Sequence, residues 1–146
     1  MEPPKRKPNF RGINVLIADA DHCLSTAVMH CLKALGFNNV SNVRTADEAV
    51  RAVRAQATNL LITEWDIKGA DGIELVRYLR RDPASPNRTI PIIMLTGRGE
   101  IHDVQTARDV GITEFLVKPF TTQSLVNRLE RIIDQPRSFV LSEAYV

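Results

Sequence analysis

The sequence predicts an α/β fold: a doubly wound, parallel five-stranded sheet covered by helices on both faces. Two observations predict it. Short apolar runs alternate along the chain with segments of helical periodicity, and there are five of each. Several runs lack the polar–apolar alternation of a half-exposed sheet, which is typical of strands buried on both sides. Right-handed crossovers then bring the carboxyl ends of the strands to one edge.

The first half of the chain holds three of these strand–helix pairs. Apolar side chains at helical spacing over residues 24–35 predict an amphipathic helix that ends at Gly36. A capping box of Thr45 and Glu48 predicts where the second helix begins. The third helix is expected to end before Pro83. The strands that precede these helices are INVLIAD, NVSNVRT and LLITE.

The second half holds two more pairs. The most apolar strand, IPIIMLT, precedes the helix IHDVQTARDV, which Gly111 closes. The strand EFLVK then precedes the last helix, TTQSLVNRLERII. That helix is expected to bury the stripe Leu125, Leu129, Ile132 and Ile133.

The composition is that of an ordinary soluble domain. The chain has 146 residues, of which 44% are hydrophobic and 25% are charged. No apolar stretch approaches the roughly 20 residues that a membrane-spanning helix needs. The basic start of the chain has no apolar segment behind it that would make a signal peptide. We therefore expect a cytoplasmic protein without a membrane span.

Three regions are expected along the chain. Residues 1–12 are predicted to be a basic disordered leader, residues 13–134 the folded domain, and residues 135–146 a C-terminal tail. The leader holds four basic residues against one acidic residue, a charge that suits nucleic acid. A charged, Pro-rich leader is more often a solvated tail, so no direct nucleic-acid partner is expected.

Polar side chains stand at four strand ends. Asp19, Glu64, Thr96 and Lys118 each end a predicted strand, and Asp21 follows the first of them by two positions. Ligand sites in open α/β sheets lie at this edge. Carboxylates there suit Mg²⁺, while a hydroxyl and an ammonium suit an anionic phosphoryl group. The sequence therefore predicts an acidic pocket with phosphate-contact groups.

Four motifs at these strand ends carry a family resemblance. VLIADAD, LLITEWDIKGADG, IIMLTG and FLVKPF occur in this order, and together they resemble the receiver domain of two-component response regulators over about residues 13–134. The resemblance implies a flavodoxin-like sheet of order 2-1-3-4-5. It also implies Mg²⁺-assisted phosphoryl transfer from a phosphohistidine to an aspartate.

The resemblance assigns roles to individual residues. Lys118 and Thr96 match the lysine and the hydroxyl that contact the phosphoryl group, and Asp19 matches the first of two paired acids. Phe115 stands where the family often has an aromatic residue that reports the active state. Because phenylalanine has no hydroxyl to satisfy, an inward position is expected for its ring.

Three positions depart from the family pattern. Glu64 replaces the phosphoacceptor aspartate, Ala20 replaces the second paired acid, and Lys68 replaces a usual proline. Glutamate places its carboxylate about 1.5 Å further out, whereas in-line transfer demands close placement. We therefore predict a pseudo-receiver in which Glu64 pairs with Lys118 or Thr96 and does not accept phosphate.

The same departures weaken the metal site. Asp19, Glu64 and Asp66 remain as candidate ligands, but Mg²⁺ demands octahedral geometry and Ala20 offers it nothing. Asp21 and Asp66 are each expected to be a substitute ligand or, more simply, a side chain that points to solvent or caps the next turn. Mg²⁺ is thus allowed but not favoured. Trp65 is expected to be a partly exposed ring at the rim.

Two other functions remain open from the sequence. A working receiver would bind Mg²⁺ and accept phosphate on Glu64 or Asp66. A haloacid-dehalogenase-like phosphatase would use Asp19 as nucleophile and Asp21 as general acid, but that family's late acidic motif is missing.

The receiver interpretation implies signalling partners and no enzymatic role. The expected partner is a histidine kinase or a downstream signalling protein. A homodimer that forms through residues 101–133 is also expected.

Overall fold

Residue 10, residues 12–68 and residues 70–134 are described by the computed structural model of the chain. The strands are β1 (Asn14–Ala18), β2 (Asn39–Val43), β3 (Leu60–Thr63), β4 (Asp66–Ile67), β5 (Ala70–Asp71), β6 (Ile92–Thr96) and β7 (Glu114–Val117). The helices are α1 (His22–Ala34), α2 (Ala46–Ala55), α3 (Gly72–Arg81), α4 (Ile101–Val110) and α5 (Thr122–Asp134).

The main sheet has the predicted topology. Its strands run parallel in the order β2-β1-β3-β6-β7. Since β6 and β7 are the fourth and fifth strands of this sheet, the predicted order 2-1-3-4-5 is confirmed. The carboxyl ends of β1, β3, β6 and β7 therefore meet at one edge, which we call the carboxyl edge.

Each face of the sheet is covered by its own helices. Alternate side chains of β1 and β3 belong to two different core layers, as the two-residue period of a strand requires. Leu16 and Leu61 pack in the layer under α2, α3 and α4. Ile17 and Ile62 pack in the layer under α1 and α5. Because both faces are buried, the central strands β1, β3 and β6 appear in the sequence as nearly continuous apolar runs.

A short hairpin that was not predicted lies between β3 and α3. Residues Asp66–Ile67 and Ala70–Asp71 pair antiparallel as β4 and β5. Two-residue strands are too short to show periodicity, so the sequence does not predict this pairing. The Asp71 side chain then caps α3 by accepting a hydrogen bond from the Ile73 N–H at 2.8 Å. The hairpin links the end of β3 directly to the start of α3.

A buried arginine joins α3 to two loops. Arg80 is 1% exposed, and it donates to the carbonyl of Gly111 at 2.9 Å and to that of Arg88 at 3.0 Å. Burial lowers the pKa of its guanidinium to about 10. Arg80 thus fixes the loop before β6 and the turn before β7 to the same helix.

Arg80→Met is expected to lower the free energy of unfolding by about 1–2 kcal/mol, because two loop carbonyls lose their donor while an apolar chain fills the space. Urea unfolding at neutral pH measures it. The adjacent, exposed Arg81 provides the control, since Arg81→Met should change stability by less than about 0.5 kcal/mol. Equal effects of the two substitutions would contradict the role given to Arg80.

The predicted leader contributes at least one residue to the core. Phe10 is buried and stacks on Phe37, with ring centroids 4.3 Å apart, so packing begins before the predicted boundary at residue 13. Residues 1–9 and residue 11 of the leader, and the tail 135–146, lie outside the described residues. Among the helices of the described part, none is long and apolar enough to cross a bilayer.

Candidate functional site

An open cavity of about 340 Å³ lies at the carboxyl edge. Every strand-end residue singled out in the sequence contributes to its wall. The lining residues are Asp19, Asp21, Leu24, Glu64, Asp66, Thr96, Gly97, Arg98 and Lys118. We refer to this cavity as the acidic pocket.

Lys118 lies at the centre of an ion-pair network in the acidic pocket. Its Nζ is 2.7 Å from Glu64 Oε2 and 3.3 Å from Asp19 Oδ2. The three side chains are only 14%, 11% and 9% exposed, respectively. Burial alone would lower the pKa of Lys118, but the hydrogen bond and charge of Glu64, together with Asp19, outweigh it and raise that pKa.

The Glu64 carboxylate is held at both oxygens. Oε2 accepts from Lys118, and Oε1 accepts from the backbone N–H of Trp65 at 2.8 Å, with that of Asp66 at 3.4 Å. The side chain therefore folds back over the start of the hairpin. Of the two partners expected for Glu64, Lys118 is the one in contact. Thr96 Oγ1 instead accepts from the N–H of Arg98 at 3.3 Å.

The Asp19 and Asp21 side chains each accept a hydrogen bond from a nearby backbone N–H. Asp19 Oδ1 accepts from the Asp21 N–H at 2.9 Å, which ties the end of β1 to the start of α1. Asp21 Oδ1 accepts from the Leu24 N–H at 3.1 Å and so caps α1. The simpler role considered for Asp21, a helix cap, is the one seen in the structure.

Arg98 is a site residue that sequence reasoning missed. Its Nη2 and Nε donate to the two carboxylate oxygens of Asp66 at 2.8 and 3.2 Å, and its guanidinium carbon lies 4.8 Å from the centroid of the Trp65 ring. The hydrogen bond from Arg98 lowers the pKa of Asp66 against the opposing effect of burial, and the charge of Arg98 lowers it further. The available signal was a cation two positions after the strand-end Thr96.

The expectation of a partly exposed Trp65 is wrong. The residue is 7% exposed and belongs to the core layer under α2, α3 and α4. Its ring packs on that layer and also contacts the Arg98 guanidinium. The only tryptophan of the chain therefore lies beside the acidic pocket, in contact with one of its charged groups.

The family model for the response regulator receiver domain matches residues 15–130. The chain belongs to this family. The predicted receiver domain of two-component signalling is thereby confirmed, and receiver domains are in general signalling modules rather than enzymes.

Two curated relatives illustrate the match. The receiver is 34% identical over 122 residues to chemotaxis protein CheY1 of Helicobacter pylori, covering 83% of this chain and 97% of that protein. It is 34% identical over 128 residues to the phosphate regulon transcriptional regulatory protein PhoB of Rhizobium meliloti. That match covers 88% of this chain and 55% of the regulator, so the chain spans about half the regulator's length.

Solved structures give the same result. The receiver superimposes on a putative response regulator from Chloroflexus aurantiacus with a TM-score of 0.76 and 27% identity, covering 88% of this chain and all of that one. The receiver domain of sensor histidine kinase PA1611 from Pseudomonas aeruginosa superimposes with a TM-score of 0.75 and 26% identity. That match covers 85% of this chain and 99% of the other. That neighbour has a magnesium ion coordinated in its active-site cleft.

Phe115 does not line the acidic pocket of this receiver. It lies on β7, is half-buried, and packs against the core layer under α2, α3 and α4. The backbone continues from β7 to Lys118, whose bond to Pro119 is cis. The ring is thus close in sequence to the pocket lysine but contributes to the core.

The pocket residues, as placed, do not fit a Mg²⁺ ion well. Asp19 and Glu64 share Lys118, Asp66 is bound to Arg98, and Asp21 caps a helix. Ala20 has no ligand atom to offer. A hard cation needs about six oxygen ligands. To bind here, it would have to displace the Lys118 ammonium from Asp19 and Glu64 and the Arg98 guanidinium from Asp66.

Proposed function

We propose that the chain is a pseudo-receiver of a two-component system, one that acts through protein–protein contacts without accepting a phosphoryl group. The observation that carries this proposal is the 2.7 Å contact between Glu64 Oε2 and Lys118 Nζ. Glu64 stands where the family has its phosphoacceptor. Its contact engages both the acceptor carboxylate and the lysine that would meet a phosphoryl oxygen.

The charges around Glu64 support a fixed state. A charge-assisted hydrogen bond between buried partners is stronger than a neutral one. An incoming phosphoryl group would therefore have to compete with Glu64 for Lys118. A carboxylate carries one negative charge, while a phosphoryl group carries about two. Glu64 therefore mimics part of a phosphorylated site, and it holds the pocket in a single arrangement.

The output we propose is contact with a histidine kinase or a downstream signalling protein, together with homodimerisation through residues 101–133. That surface comprises α4, β7 and α5. Ile101 is 78% exposed and Val117 is 38% exposed. This surface therefore offers two exposed apolar side chains to a partner.

A switching receiver is the second candidate, and the open cavity is the observation that favours it. About 340 Å³ remains at the carboxyl edge, and Asp19, Thr96 and Lys118 all line it. In this alternative Mg²⁺ and phosphate would rearrange Lys118 and Glu64. The phosphatase alternative gains no such support, because Asp21 caps α1.

The proposal predicts that the natural protein does not respond to Mg²⁺ and beryllofluoride, whereas Glu64→Asp does. The shorter side chain withdraws the carboxylate by about 1.5 Å and leaves Lys118 to the phosphoryl analogue. Fluorescence of Trp65 measures the response, because its backbone N–H donates to Glu64 and its ring lies against the Arg98 guanidinium.

Two further variants complete the test. Glu64→Gln keeps the length without the charge and should stay silent, while Ala20→Asp with Glu64→Asp should respond more strongly than Glu64→Asp alone. A saturable response of the natural protein would establish the switching receiver. Silence of both Asp variants would show that Glu64 is not what closes the pocket.

A further inference from the structure

A second cavity, of about 290 Å³, lies at the edge of the sheet opposite the acidic pocket. Its wall is formed by the amino ends of β1, β3 and β6 and by the last turn of α5. We call it the amino-edge cavity. Five apolar residues contribute to its wall: Ile13, Leu60, Pro91, Ile132 and Ile133.

The wall of the amino-edge cavity favours an apolar occupant. Ile13 and Ile133 are only partly buried, although both pack against the core layer under α1 and α5. The polar side chain of Asn59 in the same wall is already engaged, because its Oδ1 accepts from the Asn14 N–H at 2.8 Å. The cavity has about ten times the volume of one water molecule in the liquid, so there is room for apolar side chains, whose burial stabilises a fold.

The chain that continues from this cavity carries such side chains. Ile132 and Ile133 belong to the last turn of α5, which ends at Asp134. The tail, residues 135–146, lies outside the described residues, and its sequence includes Phe139 and Leu141. Phe139 follows Asp134 by five positions, a reach of up to roughly 17 Å. Since α5 itself lines the cavity, Phe139 can reach it from the end of that helix.

The other end of the chain has the wrong chemistry for this cavity. Apart from its prolines, the segment 1–9 holds one large apolar residue, Met1, and it includes three consecutive cations at residues 5–7. Transfer of charged groups into an apolar site is unfavourable. Phe10, which follows this segment, already stacks on Phe37. The composition of the two ends therefore favours the tail as the occupant.

We propose that the tail binds in the amino-edge cavity of its own chain, with Phe139 and Leu141 as apolar anchors. This intramolecular contact lies away from the acidic pocket, so it goes beyond the proposed signalling function and does not depend on it. Since α5 also belongs to the surface 101–133 proposed for partners, binding of the tail connects that surface to the segment that follows it.

Nuclear magnetic resonance on the full chain, with labelled isoleucine methyl groups, tests the contact directly. We expect nuclear Overhauser effects between the methyl groups of Ile13 or Ile133 and the ring of Phe139, and their loss in Phe139→Ser. A mixture of labelled and unlabelled chains separates contacts within one chain from contacts between chains. Contacts only between chains, contacts to Met1 in place of Phe139, or no contact at all would each overturn the proposal.

Trypsin cleavage after Arg137, two residues before Phe139, gives a second readout. Cleavage follows the population of the open segment when opening is fast. Phe139→Ser is therefore expected to speed cleavage about tenfold, the order set by losing one buried aromatic side chain. Phe139→Leu should stay within about threefold of the natural protein, since leucine still buries an apolar side chain. Equal rates in the natural protein and Phe139→Ser would overturn the proposal.

A variant in the cavity wall completes the test. Ile133→Ser should also speed cleavage after Arg137, because it places a hydroxyl where the tail is proposed to bind. Ile101→Ser is the matched control, since Ile101 is 78% exposed on α4 and does not line the cavity, and it should leave the rate unchanged. Trp65 emission checks that both variants are folded. Equal effects of the two substitutions in folded proteins would count against binding in this cavity.

Discussion

Gly72→Ala is expected to lower the free energy of unfolding by about 2–3 kcal/mol and to displace the segment that carries Glu64. A Cβ atom at position 72 would lie 2.3 Å from the carbonyl oxygen of Glu64 and 2.9 Å from that of Trp65. Both are backbone atoms, so no side-chain rotation relieves the clash. The Gly72 N–H also donates to the Trp65 carbonyl at 2.6 Å, which holds the two segments together.

Urea unfolding and Trp65 emission together measure this effect. Gly97→Ala is the matched control, since Gly97 lines the same pocket but a Cβ atom added there would meet nothing within 4 Å. We expect Gly97→Ala to be nearly neutral in stability and in emission. Should Gly72→Ala unfold at the same urea concentration as the natural protein, the close approach of α3 to Glu64 would be disproved.

The fold was predictable because its physical causes are local or periodic. Strands buried on both faces appear as apolar runs, and the helices between them carry a stripe at helical spacing. The third helix ends at Arg81, before Pro83 as predicted, and the predicted helix IHDVQTARDV is Ile101–Val110. The β4–β5 hairpin was not predictable, since Asp66–Ile67 pairs with Ala70–Asp71 through backbone hydrogen bonds that leave no pattern in two residues.

The sequence predicts most of the residues that line the acidic pocket, but it does not predict which of their atoms are in contact. Parallel strands bring Asp19, Glu64, Thr96 and Lys118 to one edge whatever their rotamers are. Which oxygen meets which nitrogen depends on side-chain rotamers and on backbone donors such as the Trp65 N–H. Arg98 escaped notice because a long side chain after a strand end can point in several directions, and only the structure shows it on Asp66 and Trp65.

Lys118→Met is expected to lower the free energy of unfolding by about 2–3 kcal/mol, because it leaves Glu64 and Asp19 nearly buried without their cation. Breaking a fully buried pair costs about 3–5 kcal/mol, and the slight exposure of this one reduces the cost. The folded state raises the pKa of Lys118, so the stabilisation is fully present below the ordinary lysine pKa. It declines only as the pH rises through the higher folded-state value, and measurement at neutral pH therefore captures all of it.

A double-mutant cycle with Glu64→Gln decides whether the 2.7 Å contact carries the effect. Glutamine keeps the length of Glu64 and an oxygen for the Trp65 N–H, but it has no charge for Lys118 to neutralise. Lys118→Met should then cost at least about 1 kcal/mol less in the Glu64→Gln background than in the natural one. Strictly additive losses would mean that Lys118 stabilises the domain through Asp19 alone. In that case the Glu64–Lys118 contact would contribute nothing to stability, and the structural basis for a receiver held in one state would be lost.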